Sequence, residues 1–146
     1  IFEPVMDLHP ELFFFTPLIA AMAGNVGVQS SAIIVQGLAN NTIIGPVVER
    51  LLKELSLSLL NGVILSVILL AGSYFLLGYE IHVGYTVSIA LLSVIIMASL
   101  IGTFIPIILN KYGVDPALAT GPFITTSNDI LGILTYFTIA KIILGI

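Results

Sequence analysis

The chain has 146 residues, of which 58% are apolar and 8% are Asp, Glu, Lys or Arg, with a mean hydropathy of +1.19. A soluble domain carries about 25% charged residues, so this composition excludes one and points to a membrane domain. The absence of Cys rules out disulfides, thiolate metal sites and Cys nucleophiles, and at a net charge of −4 no nucleic-acid partner is expected.

Residues 1–11, Ile-Phe-Glu-Pro-Val-Met-Asp-Leu-His-Pro-Glu, contain three acids and two prolines and read as a loop between membrane segments. An opening of Ile1-Phe2-Glu3 rather than a basic stretch gives no sign of a cleavable targeting segment. The first span is expected from Leu12 to about Ala39, with Pro17 as a possible kink. Its centre, Met22 to Ser31, is small and polar. Asn25, Gln29, Ala32 and Gln36 fall on one wet helical face, and Gly24, Gly27 and Ser31 form a neighbouring strip that lets helix backbones approach. Asn40 to Glu54 reads as a polar connection, broken by Gly45-Pro46, in which Glu49, Lys53 and Glu54 suggest a short amphipathic surface helix. Leu55 to Leu77 is the second span, with Ser58, Asn61, Gly62 and Ser66 on its packing side. A loop over Gly78–Gly84 leads to the third span, Tyr85 to about Leu109, and a tight turn over Asn110–Asp115 leads to the last, which ends at Ile146. The expected fold is all-α, a polytopic transmembrane bundle with four full spans in a single domain, 1–146.

Charge sets the expected orientation. Arg50, Lys53 and Lys111 share one side, which the positive-inside rule assigns to the cytoplasm. Glu3, Asp7, Glu11 and Glu80 then make the outer mouth acidic, which attracts cations, and Lys141 snorkels to the outer interface.

The costliest residue in this plan is Asp129, about 13 residues and roughly 20 Å in from the cytoplasmic turn. A carboxylate at that depth opposes insertion by roughly 2.5–3.5 kcal/mol or more, so it needs a partner residue, a water-filled cavity or a cation. Gly121, Thr125, Asp129, Gly132 and Tyr136 fall on one helical face, with Thr126 and Asn128 beside it. The residues alone leave open a structural partnership with Asn25 or Gln29, a protonated buried acid, or a ligand role. Were it a ligand, the metal would be hard: His9 and His82 both fall in expected outer loops, and one carboxylate with amides and hydroxyls suits a hydrated Mg²⁺ better than a dry Ca²⁺ cage. An intramembrane protease would need a second embedded Asp or a Ser–His pair, and Asp115 lies in a turn. No enzymatic activity is expected, and a non-transporting scaffold is the remaining alternative.

Two long motifs carry a resemblance. Pro17-Leu-Ile-Ala-Ala-Met-Ala-Gly-Asn-Val-Gly-Val-Gln-Ser-Ser31 with Gln36-Gly-Leu-Ala39, then Val114-Asp-Pro-Ala-Leu-Ala-Thr-Gly-Pro-Phe-Ile-Thr-Thr-Ser-Asn-Asp129 with Gly132 and Tyr136-Phe137, resemble the transmembrane domain of MgtE-type magnesium channels and transporters. The resemblance covers nearly the whole chain. It implies a homodimer in the cell membrane, plasma or inner, with the ion path between protomers. The family's pore aspartate falls on Asp129 and its Gly-Asn-x-Gly-x-Gln motif on Gly24 to Gln29. Asp129, Asn25 and Thr125 are the expected metal residues, with Gly24, Gly27, Gln29, Gly121, Thr126, Asn128 and Gly132 lining or packing the path. The expected cargo is Mg²⁺, with Mn²⁺ or Co²⁺ as possible alternatives, driven by membrane potential or exchanged for Na⁺ or H⁺.

Two residues depart from the family pattern: Ala23 replaces the first Gly of Gly-Gly-Asn, and Gln36 replaces a basic residue. The family domain has five spans, so the first reads as truncated here, with Ile1-Phe2-Glu3 resembling its outer end. Cytoplasmic magnesium-sensing and CBS domains, typical ahead of the membrane part in bacterial relatives, have no counterpart in this sequence.

Overall fold

Among the described residues, four helical segments are long and apolar enough to cross a bilayer: Pro10–Ala39, Val47–Phe75, Ile81–Lys111 and Pro122–Leu144. They belong to a computed structural model that describes residues 2–43, 46–119 and 121–145 and contains no strand among them. The elements are α1 (Glu3–Leu8), α2 (Thr16–Ala39), α3 (Val47–Phe75), α4 (Ile81–Lys111) and α5 (Pro122–Leu144), with 3-10 turns at Pro10–Phe15 and Pro116–Ala119. Gly45 of the expected breaker, Thr120 of the second motif, and the terminal Ile1 and Ile146 lie outside the described residues.

The third span, α4, is the hub, packing against α2, α3 and α5, whereas α3 packs substantially against α4 alone. The sequence explains this. Val87, Ala90, Leu91, Val94, Ile95 and Ala98 recur at steps of three and four, forming a buried stripe of α4. Ile19 and Ala23 of α2 and Tyr136, Phe137 and Ala140 of α5 complete the core. Most of α3 instead presents exposed Leu and Ile, such as Leu57, Leu60 and Ile68, as a lipid-facing helix should.

Several expected boundaries are corrected. The described part of residues 1–11 is not a loop: Glu3–Leu8 form α1 and Pro10 begins a 3-10 turn, because Pro4 and Pro10 fall in first turns, where a missing N–H breaks no helical bond. This segment is pinned to the bundle by Val5 and Leu12, both buried, and by Phe2 stacked on Phe137 with centroids 5.5 Å apart. Pro17 likewise lies in the first turn of α2 and interrupts no bond there.

The expected short surface helix is instead the beginning of α3. The Lys53–Glu49 pair at 3.4 Å and the Arg50–Glu54 pair at 3.7 Å follow i, i+4 spacing, so these charges favour continuing the helix. Glu54 is also buried rather than on the surface. His82 is not in a loop, because α4 begins at Ile81 and Thr86 Oγ1 donates to His82 O at 2.8 Å. At the other end of α4, Gly113 (φ 72°) adopts a left-handed conformation that brings Val114 N to Leu109 O at 2.9 Å and closes the expected turn.

Candidate functional site

The site is built where α2 loses its side chains. A Cβ on Gly24 would lie 2.8 Å from Asp129 Oδ1 and 3.1 Å from Thr125 Cγ2, so this glycine seats the carboxylate of α5 directly against the backbone of α2. One turn on, a Cβ on Gly27 would overlap the Asn128 amide. Gly27 itself is touched from the other side by Gly102 of α4, where an added Cβ would overlap Gly27 O. Three helices therefore meet at a glycine-thinned crossing, and Asp129 stands at its edge.

At the start of α5, Gly121 has φ 61° and ψ −133°, a conformation essentially reserved for glycine. It turns the chain into the helix, and its carbonyl accepts both Thr125 N at 3.0 Å and Thr125 Oγ1 at 3.1 Å. Asp129 and Thr125 are half-buried, and Thr126 is exposed. Asn25, Gln29 and Gln36 are exposed along α2, with Ala32 half-buried between them.

Asp129 has no hydrogen-bond or ion-pair partner among the described residues, and no bond joins it to Asn25 or Gln29. The structural partnership that the sequence left open is thus absent within this chain. Among the described residues no group of three His, Cys, Asp or Glu could enclose a metal, so an ion here would keep much of its water.

The face predicted on α5 is open at only one end. Gly132 is buried, and a Cβ there would lie 2.7 Å from Ala23 Cβ, which makes it a packing contact. Tyr136 is fully buried and donates from its hydroxyl to Leu12 O at 2.9 Å. Asn128 faces inward and is fully buried, with neither amide atom hydrogen-bonded. Sequence reasoning passed over the burial of Glu54. The signal was present, because Glu54, Ser58 and Asn61 share a helical face.

The family model for MgtE, described as a divalent cation transporter, matches residues 16–139. The chain is 39% identical over 140 residues to the magnesium transporter MgtE of Bacillus subtilis (strain 168), covering 95% of this chain and 31% of that protein. It is 33% identical over 144 residues to the magnesium transporter MgtE of Thermus thermophilus, covering 98% and 32%. For the magnesium transporter MgtE of Enterococcus faecalis the identity is 36% over 143 residues, covering 96% and 31%. The chain spans about a third of the length of these curated relatives. With the match running through all four membrane segments, the chain belongs to the MgtE family of divalent cation transporters.

Proposed function

We propose that this chain forms the membrane path for Mg²⁺ in a homodimer, with Asp129 of each protomer holding a largely hydrated ion through its waters. The observation that carries this reading is the unpartnered Asp129 carboxylate, seated on Gly24 at the edge of a bundle whose neighbouring α2 face exposes Asn25 and Gln29. Hydrocarbon cannot hydrogen-bond these amides, whereas a second protomer and an aqueous path can. Thr125 and Asn25 line the path, while Gly24 and Gly27 set the helix spacing. The membrane potential supplies roughly 2.3 kcal/mol per charge per 100 mV, or about 4.6 kcal/mol for a divalent ion, so inward flow needs no further energy source.

Asp129→Ala should abolish rescue of a magnesium-starved, transport-deficient strain. Normal growth supported by correctly inserted mutant protein would sink the assignment. Flux through purified protein should be inhibited by Mn²⁺ or Co²⁺ and be independent of Na⁺ and proton gradients; strict dependence on either gradient would replace conduction with exchange. Because the chain has no Cys, Gln36→Cys gives a single thiol. That thiol should crosslink two copies in membranes, and a strictly monomeric product would count against the dimer.

A further inference from the structure

On the α3 side of α2 lies a second polar region, separate from Asp129. Glu54, Ser58 and Asn61 of α3, Gln29 and Ser30 of α2 and Ser99 of α4 supply the polar groups of an open cleft of about 390 Å³, walled otherwise by Val26, Ile33, Leu57, Leu60 and Ile64, to which α5 contributes no residue. At about 30 Å³ per water, the space accommodates roughly 13 waters, enough for an ion with a hydration shell. Gln29 and Asn61 are exposed and mark its open side. Gln29 also lies one helical turn from Asn25, so it borders both regions.

Within the cavity the Glu54 side chain is only 7% exposed, and its Oε1 has no hydrogen-bond partner. The nearest cation, Arg50 Nη2, is 3.7 Å away, beyond hydrogen-bonding reach, and Arg50 Nε is itself buried and unpartnered. The hydroxyls opposite are already oriented. Ser30 Oγ donates to Ser99 Oγ at 3.3 Å and Ser58 Oγ donates to Leu55 O at 3.0 Å, which leaves acceptor lone pairs on Ser30 and Ser58. The one ion pair of this buried carboxylate, to Arg50, is long and leaves Oε1 without a hydrogen bond, so the group still gains from ordered water or a second cation.

We propose that this cavity is a second divalent-cation site, one per protomer, in which Glu54 supplies the charge. Asn61, Gln29 and the serines hold the waters that the ion retains. The donors are all oxygen, with one carboxylate among amide and hydroxyl groups, and such a set suits a hard divalent ion that is incompletely dehydrated. Glu54 lies about 10 Å along α3 from Val47, and Asp129 does not line the cleft.

The test uses the full chain in lipid nanodiscs, with Mn²⁺ as the probe read by paramagnetic resonance and Mg²⁺ and Na⁺ as competitors. Asp129→Asn should still bind one Mn²⁺ per protomer, displaced by Mg²⁺ but not by excess Na⁺. Adding Glu54→Gln should weaken that binding by about tenfold or more, and adding Asn61→Ala instead by about tenfold. Three results would overturn the proposal: no Mn²⁺ bound by Asp129→Asn, equal binding after Glu54→Gln or Asn61→Ala, or displacement by Na⁺. If the Glu54→Gln protein does not fold, Asn61→Ala decides alone, since Asn61 is exposed. Growth rescue by wild type and Asp129→Ala reports the fate of the Asp129 reading separately.

Discussion

The contact between α3 and α4 and the contact between α2 and α5 use the same kind of residue for different ends. In the first, Ser58, Ser66 and Ser73 turn toward the bundle, and each hydroxyl donates to a carbonyl, Ser66 Oγ reaching Ser88 O at 2.8 Å. Gly62 faces Leu92 and Ile95 side chains, which can shift. In the second, Gly24 and Gly27 face a carboxylate and an amide that have no hydrogen-bond partners. Small residues in both places bring helices together; what distinguishes a candidate site from packing is whether the polar groups brought in are left unserved.

Substituting the glycines separates the two contacts most strongly. Gly102→Ala sets a Cβ against backbone that cannot yield, so it should destabilise the bundle by roughly 1–3 kcal/mol, read as a lowered melting temperature in detergent. Tyr136→Phe leaves Leu12 O without its donor and should cost about 1–2 kcal/mol, while Mg²⁺ flux at permissive temperature stays intact. Ser66→Ala removes one interhelical bond, for which membrane bundles lose about 0.6 kcal/mol on average. Gly62→Ala should be close to neutral: a helix-propensity gain of about 1 kcal/mol offsets the displacement of the Leu92 side-chain end. A Gly62→Ala protein as unstable as Gly102→Ala would erase the distinction between the two contacts.

Much of the bundle was legible because long apolar runs have few alternatives in a bilayer, and the spans were placed to within a few residues except at the starts of α3 and of α5, which begins at Pro122 after a 3-10 turn rather than directly after Asp115. At α3 the charges of Glu49, Lys53 and Glu54 suggested a separate element, but their i, i+4 pairing lets the helix continue through them. Asp129, Thr125 and Gly121 could be aligned by periodicity within one helix. Periodicity does not reveal which neighbour covers a stripe, and so Gly132 and Tyr136, in line with Asp129, are buried while Asp129 remains half-open. The same limit hid Asn128, which one residue step of about 100° carries from the open side into the interior. The seating of Asp129 on Gly24 depends on the register between two helices about 100 residues apart, which no local pattern encodes.

The bond from Tyr136 to Leu12 spans 124 residues and ties the Pro10–Phe15 turn to α5. During synthesis Leu12 emerges long before its partner, so the Pro10–Phe15 turn stays unfastened until α5 has entered the bilayer. The carboxylate of Asp129 arrives on that same helix. A nascent chain interrupted after α4 therefore lacks both the fastening and the Asp129 carboxylate, and a quality-control protease would meet an unpinned Pro10–Phe15 turn.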